Sequence, residues 1–219
     1  MKSRRPVSSD VMLLLPLMVA LFWAAQGTPV PSIRDIDFKN FTYPKLSSGK
    51  CSRLSRIRLR DGKYGSVENF SPRVVPRAGC WQVSLAPVIY GDVTGDGREE
   101  AIVILYAEMG GTESSEDVFI YSLRHERPVL LWKFWTGDRA DGGLVNLYAQ
   151  DGKVVVELAG KNKFIGSDYF ADDGTSNGAC CPTVITRSKY QWVRGAFRRR
   201  GPLEVLPFKG WGATAEIRF

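Results

Sequence analysis

The sequence predicts an all-β fold, a single mostly antiparallel β domain with minor helix. Apolar residues alternate with polar ones or run in short blocks, and turn-forming residues interrupt them roughly every ten to fifteen positions. The blocks are rich in β-branched and aromatic residues, which are typical of strands. No stretch of about twelve residues repeats its apolar positions with the 3.6-residue period of a helix. A sandwich, a barrel and a partial propeller all satisfy this pattern.

The first 27 residues have the layout of a secretory signal peptide. Lys2, Arg4 and Arg5 precede an apolar run over residues 11–25, and small residues follow the run. This run is interrupted by Pro16 and falls short of the roughly 20 apolar residues that span a bilayer. We therefore expect a secreted or periplasmic protein with no membrane span after signal cleavage.

Residues 28–50 are polar and broken by prolines, which indicates an extended N-terminal segment, and residues 51–219 make up the predicted β domain. The domain's first predicted strand alternates arginines with Ile57 and Leu59 and ends in a turn at Asp61-Gly62. Three further strands are predicted from apolar runs. These runs are EAIVILYAEMGG, DVFIYSL and PVLLWKFWTG.

Two β-hairpins are predicted in the second half of the chain. One turns at Asp151-Gly152 between two apolar runs, and the other turns at Arg194-Gly195. A short turn pair of this kind, with a glycine second, is the strongest local signal for a hairpin. The predicted domain therefore ends in paired antiparallel strands.

The cysteines predict disulfides. An exported protein meets an oxidising compartment, and this chain has four cysteines, Cys51, Cys80, Cys180 and Cys181. Four cysteines allow three pairings. We favour cross-links from the Cys180-Cys181 pair back to Cys51 or Cys80, because joining direct neighbours makes a strained ring. A zinc site is the alternative, although the spacing typical of zinc ligands is absent.

The charge balance favours acidic partners. Lys and Arg number 30 against 23 Asp and Glu, a formal net charge of +7. This balance suits acidic partners such as an anionic glycan, an envelope surface or nucleic acid, and we expect no specific nucleic-acid partner. Arg56, Arg58 and Arg60 share one face of a predicted strand, and a second arginine run, residues 198–200, follows a later strand.

These arginines have two interpretations. In the first, the arginines form a basic patch and four tryptophans supply stacking surfaces beside it. In the second, the arginines lie on the charged outer faces of strands and the tryptophans belong to an aromatic core. The four tryptophans are Trp81, Trp132, Trp135 and Trp192.

The stretch GDVTGDGREEAIVIL carries the most specific chemical pattern. Oxygen-bearing groups alternate around Gly97, and calcium takes six to eight oxygen ligands. The predicted calcium ligands are Asp92, Thr94, Asp96, the Arg98 carbonyl and Glu100. The stretch is no EF-hand, because that loop ends in a glutamate at its twelfth position and here the position is Val103.

The stretch resembles the calcium loop of FG-GAP and VCBS-type repeats, D-x-[DN]-x-D-G-x-x-[DE], in which the loop joins two strands of a propeller blade. It matches at Asp92, Asp96, Gly97 and Glu100, and departs at neutral Thr94. The flanking segments resemble small exported bacterial proteins with one such loop. The resemblance implies a structural calcium ion in an extracellular β domain, and the larger members of the family have binding or adhesion roles.

A plain β-turn is the alternative interpretation of this stretch, because Asp, Gly and Thr also form good turns. Glu99 is not expected to be a ligand, since strand alternation directs it away from Glu100.

Enzymatic function has less support in the sequence. His125 stands in a charged link between predicted strands, without the partners that a catalytic triad needs. A hydrolase of an envelope polymer or glycan is still an alternative, because two carboxylates flanking a sugar suffice for that reaction. The candidate acids, in two Asp- and Gly-rich segments, are Asp138, Asp141, Asp168, Asp172 and Asp173. We expect a non-enzymatic exported domain that binds an extracellular or envelope partner.

Overall fold

The computed structural model describes residues 31–47, 49–65, 80, 82–108, 114–138, 142–169, 171–172, 174 and 181–208. The predicted signal peptide lies outside these residues, as do Trp81, Asp141, Asp173 and Cys180. The described strands are β1 Thr42–Pro44, β2 Arg56–Arg58, β3 Lys63–Tyr64, β4 Gln82–Leu85, β5 Ile89–Gly91, β6 Glu100–Glu108, β7 Ser114–Arg124, β8 Arg127–Trp135, β9 Leu144–Gln150, β10 Lys153–Ala159, β11 Val184–Val193 and β12 Ala196–Pro207.

The strands form antiparallel sheets, as predicted. A central sheet has the order β3-β4-β6-β7-β8, with β5 also paired to β6, and a second sheet has the order β12-β11-β10-β9. Strands β1 and β2 form a separate two-stranded ribbon. Helical structure in the described residues is limited to 3₁₀ turns at Ile33–Asp35, Phe38–Asn40 and Gly49–Arg53. The all-β prediction with minor helix is confirmed, and the described strands close no barrel.

The central sheet is covered on both faces, because alternate residues of its inner strands are apolar on both sides. Val103 and Phe119 point into one core, which the N-terminal layer (residues 32–59) covers. Ile104 and Ile120 point into a second core shared with the second sheet. The domain therefore has three layers, with the central sheet in the middle.

The predicted hairpin turns are confirmed. Asp151 and Arg194 have φ of 50° and 51°, and the glycine after each also has positive φ. This left-handed pair is the backbone of a two-residue hairpin turn, which glycine adopts without strain. The Asp61-Gly62 turn is formed as well, closed by pairing between Arg60 and Lys63. His125 lies in the exposed turn between β7 and β8, where the sequence places it.

The N-terminal segment is more ordered than its polar, proline-broken sequence indicates. Ile33, Phe38 and Tyr43 are almost fully buried against the central sheet. The Tyr43 hydroxyl donates a 2.7 Å hydrogen bond to the Phe38 carbonyl, which satisfies it inside the core. This segment therefore belongs to the compact unit, which begins at Ser32.

The favoured disulfide pairing is wrong. Cys51 is joined to Cys80, and this bond ties the N-terminal layer to the start of the central sheet. Cys181 is also disulfide-bonded, to a partner outside the described residues. The pairing could not be read from spacing, because it depends on which buried cysteines the layers bring together.

Candidate functional site

The acidic loop, residues 92–99, connects β5 to β6 where all three layers meet. A Cβ added at Gly91 would lie 2.5 Å from Cβ of Ala149, so β5 packs directly on the second sheet. The turn at Gly152 comes close to the loop as well, since a Cβ there would lie 3.3 Å from Cα of Gly95. The loop therefore contacts the second sheet at a β-hairpin end.

Asp92 organises the loop through its carboxylate. Oδ1 accepts a 2.6 Å hydrogen bond from the Gly95 amide, and Oδ2 accepts a 2.9 Å bond from the Gly97 amide. Both glycines have φ near +80°, at 78° and 82°, a conformation that other residues seldom adopt. The two glycines let the backbone wrap around the Asp92 side chain.

Glu100 is a fully buried carboxylate at the base of the loop. Its Oε2 accepts bonds from the backbone amides of Val93 and Thr94, at 3.1 and 3.2 Å, and Ser122 donates to it as well. Burial raises the pKa of Glu100, although the amide bond from Val93 opposes the shift, and the charge of Asp96 adds to it. Glu100 therefore ties the two ends of the loop together from inside the protein.

The remaining loop side chains face outward. Asp96 is exposed, and its Oδ1 accepts a 2.9 Å bond from the Arg98 amide. Glu99 points away from Glu100, as predicted, and makes two bonds of 2.6 and 2.8 Å to the Arg34 guanidinium. That guanidinium stacks 4.4 Å from the centre of the Tyr90 ring. Glu99 therefore joins the loop to the N-terminal layer.

The predicted ligands form one loop but are not gathered around a common point. The donors are all oxygen atoms, which suits calcium chemically. In the described part of the chain, however, no three acidic, histidine or cysteine side chains are grouped as metal ligands would be. The carboxylates of Asp92 and Glu100 turn inward to the loop's own amides, and Asp96 lies on the outer side.

The basic row, Arg56, Arg58 and Arg60, lies on the outer surface of the N-terminal layer. Ile57 and Leu59, between them in sequence, are fully buried. The three arginines are exposed, and no carboxylate among the described residues forms an ion pair with them. Arg58 donates one 3.2 Å bond to the Thr42 hydroxyl on the paired strand. The three arginines therefore form an exposed set of cations without ion-pair partners among the described residues, as the patch interpretation requires.

The second arginine run and the tryptophans are not combined into one surface. Arg199 stacks 4.9 Å from the Phe164 ring, while its neighbours in the run point outward. Trp132 and Trp192 pack on Phe197, with ring centres 4.9 and 5.0 Å apart. These half-buried tryptophans pack against the core between the two sheets, which agrees with the aromatic-core interpretation.

The two acidic segments proposed for a hydrolase meet at one contact. A Cβ on Gly142 would lie 2.5 Å from the Tyr169 ring, so the segments touch where glycine leaves room. Asp172 accepts a 2.9 Å bond from the Gly174 amide, as in an ordinary turn. Asp138 pairs through its backbone with Gly142. The Asp172 carboxylate thus serves a local turn, and Asp168 takes part in this region through its backbone carbonyl.

Two interior charges in this region were not expected from the sequence. Lys163 is 2 % exposed, and its ammonium donates to the carbonyls of Asp168, Tyr169 and Ala171 at 3.3, 3.2 and 2.9 Å. Glu116 is 8 % exposed and accepts a 2.7 Å bond from the Thr136 hydroxyl. Both lie in sequences that carry no motif, so tertiary packing alone identifies them.

Glu116 should make stability depend on pH. Burial raises its pKa, opposed by the bond from Thr136, so the folded protein binds a proton more tightly than the unfolded chain does. The stability that this proton contributes is present below the unfolded pKa of about 4.3 and is lost as pH rises through the folded pKa. We expect Glu116→Gln, which stays neutral, to gain stability relative to the wild type as pH rises.

Urea unfolding of both proteins between about pH 4 and 8 measures this difference. Glu204→Gln is the matched control, because bonding to Lys189 lowers the pKa of Glu204, and its contribution is lost as pH falls. Parallel pH profiles for wild type and Glu116→Gln would contradict the assignment.

A groove of about 530 Å³ opens between the N-terminal layer and the bend from β4 to β5. Its walls include Val88 and Tyr90, with Lys39 and Lys63 among its polar lining. Asp37 also lines it, but this carboxylate caps the 3₁₀ turn by accepting the Lys39 and Asn40 amides. The groove therefore lies apart from the acidic segments of the hydrolase hypothesis.

No helix in the described residues is long and apolar enough to cross a membrane. Comparison with protein-family models, with curated proteins and with solved structures finds no match for this chain.

Proposed function

We propose that this protein is an exported, non-enzymatic β domain that binds an anionic glycan of an envelope or extracellular surface. The observation that carries the proposal is the basic row, Arg56, Arg58 and Arg60. These exposed guanidiniums alternate with buried residues along β2 and the two residues after it, without carboxylate partners among the described residues.

The row suits a polymer that repeats its negative charges. Alternate residues of a strand lie about 7 Å apart on the same face, so the guanidiniums are evenly spaced. Arginine presents a planar set of donors that matches carboxylate or sulfate oxygens in pairs. The buried side chains of Ile57 and Leu59 hold the strand in place, which limits the ordering that binding requires.

Replacing the three arginines of the row with serine should weaken glycan binding without unfolding the protein. Three exposed ion pairs at roughly 0.5 kcal/mol each predict about a tenfold loss of affinity. Binding to dextran sulfate at fixed ionic strength measures the loss, and thermal melting monitors the fold.

The matched control is Arg124→Ser with Arg127→Asp, which removes the same amount of positive charge from the exposed β7–β8 hairpin. Equal losses in the two variants would mean that net charge alone attracts the polymer, and would refute a site at the row. Release of new reducing ends from bound polymer would instead favour the hydrolase alternative.

We also propose that the acidic loop takes up calcium as a structural ion. The loop contacts the second sheet near Gly152 and the N-terminal layer through Arg34, so stiffening it would strengthen the junction of the layers. Asp92, Thr94, Asp96, the Arg98 carbonyl and Glu100 would hold the ion. Calcium would supply positive charge among the carboxylates and no catalytic chemistry.

Calcium should stabilise the wild type after chelator treatment. A ligand of the folded state at 100 times its dissociation constant adds about 2.7 kcal/mol, and extracellular calcium modules bind at about 10⁻⁴ to 10⁻³ M. Asp96→Asn removes one charge and keeps the side-chain shape, so we expect it to lose most of this gain.

Melting with and without millimolar calcium measures the effect, and magnesium should replace calcium poorly because it holds its waters tightly. Glu126→Gln, at an exposed hairpin turn, is the matched control and should respond as the wild type does. A calcium-independent melting temperature in the wild type would show that the loop is an ordinary turn.

A further inference from the structure

The outer face of the second sheet is mostly polar, and Val155 and Glu157 of β10 are nearly buried within it. Leu147, Val154, Val156 and Tyr190 point into the core, so the residues that alternate with them point outward. Along the four strands, this outer face carries Asn146, Tyr148 and Gln150; Lys153, Val155 and Glu157; Arg187, Lys189 and Gln191; and Arg198, Arg200 and Glu204.

Charges on this face are compensated at one end. Arg187 bonds to Glu157 at 2.7 Å and to Glu204 at 3.2 Å, and Lys189 bonds to Glu204 at 2.8 Å. These four side chains form a connected network in which positive and negative charges balance. An anionic partner gains little by approaching this end.

The other end of the face is uncompensated. Lys153, Gln191 and Arg198 lie side by side on three neighbouring strands, and Arg200 lies in the next row beside Lys189. No described carboxylate forms an ion pair with Lys153, Arg198 or Arg200. We name these three residues the second basic face. Their backbone positions are about 7 to 12 Å apart, since alternate residues of one strand lie about 7 Å apart and neighbouring strands roughly 4.8 Å apart.

The two basic surfaces lie on opposite sides of the domain. The N-terminal layer covers one face of the central sheet, and the second sheet covers the other. The basic row is on the outside of the first, because Ile57 beside it is in the core. The second basic face is on the outside of the second, so one ligand chain lying flat on one surface leaves the other open.

The chemistry of the second basic face fits a glycan. Gln150 and Gln191 place amide groups beside the cations, and amides donate to and accept from sugar hydroxyls. Single-stranded nucleic acid binds through several aromatic platforms for its bases, whereas the ring on this face, Tyr148, lies beside the compensated network and Trp192 packs on Phe197 at the inner side of the sheet. Membrane insertion needs exposed apolar groups, and Val155 on this face is only 1 % exposed.

We propose that the second basic face is a further binding site for an anionic polysaccharide, so that one molecule bridges two polysaccharide chains or two coated surfaces. Binding at this face stands independently, whereas bridging rests on the proposed function of the basic row. Sulfate or carboxylate groups of the polymer pair with Lys153, Arg198 and Arg200, and neighbouring hydroxyls bond to the glutamines.

The test compares the wild type with two triple-serine variants, one at the basic row and one at Lys153, Arg198 and Arg200. Calorimetric titration with a dextran sulfate oligosaccharide counts sites, and turbidity of dextran sulfate beads measures bridging. We expect two sites and bead clustering for the wild type. Each variant should bind roughly tenfold more weakly at the altered surface, keep the other site at its wild-type affinity and fail to cluster beads.

The Arg124→Ser, Arg127→Asp protein should cluster the beads, and so should the Arg198→Lys, Arg200→Lys protein, which keeps both charges. Clustering and two sites in the Lys153, Arg198, Arg200 variant would refute the second basic face. The serine variant of Lys153, Arg198 and Arg200 could lose binding while the serine variant of the basic row binds as the wild type does. That result would support the second basic face and refute the proposed function of the row. Stronger competition by single-stranded DNA or by anionic phospholipid vesicles than by dextran sulfate would refute the glycan assignment.

Discussion

Removing the Cys51–Cys80 disulfide should cost about 3 to 4 kcal/mol of unfolding free energy, because the bond closes a loop of 29 residues in the unfolded chain. We expect this loss in the double variant Cys51→Ala, Cys80→Ala. Alanine is chosen because both positions are buried, and a serine hydroxyl would need a hydrogen-bond partner. The double variant also leaves the disulfide of Cys181 in place, which a reducing agent would not.

The loss should be uneven across the domain. Cys51 belongs to the 3₁₀ turn Gly49–Arg53, a few residues before β2, and the ribbon of β1 and β2 has only two strands. A two-stranded ribbon is marginal by itself, so the bond and the buried side chains together hold the N-terminal layer down. Hydrogen exchange should therefore accelerate most in β1 and β2, with β10 and β11 nearly unchanged.

Urea unfolding and native-state hydrogen exchange measure these two effects. Binding of dextran sulfate should weaken in parallel with opening of β2, since the basic row depends on that strand. A free energy of unfolding within about 0.5 kcal/mol of the wild-type value would contradict the prediction, because typical disulfides contribute about 2 to 4 kcal/mol. Reducing the double variant then isolates the contribution of the bond at Cys181.

The strands and hairpins of this fold were predictable because their signals are local. A turn such as Asp151-Gly152 needs two left-handed residues between apolar runs, and both conditions are visible within about ten residues. The opposite orientations of Glu99 and Glu100 also follow from alternation alone. Local geometry therefore accounts for the β pattern, but not for how the layers assemble.

The disulfide pairing and the order of the N-terminal layer depend on contacts between distant segments. Ile33 and Phe38 stand in a polar, proline-broken sequence. They are buried because they cover an apolar face of the central sheet, which is formed by distant strands. At the candidate site, the acidic pattern identifies Asp92 and Glu100 as important to the loop. It does not reveal that Glu100 is buried and bonded to loop amides, because burial is set by the surrounding strands.

Replacing Lys163 with methionine should destabilise the protein by about 3 kcal/mol. Methionine keeps the length and the apolar stem of the side chain, so the change removes chiefly the ammonium. Three carbonyls then lose their donor in a site that is almost closed to water, and each buried unsatisfied group costs roughly 1 to 3 kcal/mol. The costs are not additive, because the segment over residues 168–171 can relax toward solvent.

Relaxation of that segment gives the prediction a local signature. Tyr169 lies in it, with its ring 5.5 Å from Trp135 and its hydroxyl bonded to the Trp135 carbonyl at 3.3 Å. In Lys163→Met, the fluorescence and the hydrogen exchange of residues 164–171 should therefore change at urea concentrations below those that unfold the whole domain. Lys63→Met is the matched control, since this lysine of β3 is exposed and the same substitution should alter stability by less than about 0.5 kcal/mol. If the two substitutions lower the free energy of unfolding in urea equally, the three carbonyl bonds of Lys163 contribute no more to stability than an exposed lysine does. A loss confined to Lys163→Met, with early exposure of Tyr169, would establish the buried ammonium as the group that holds this segment against the sheet.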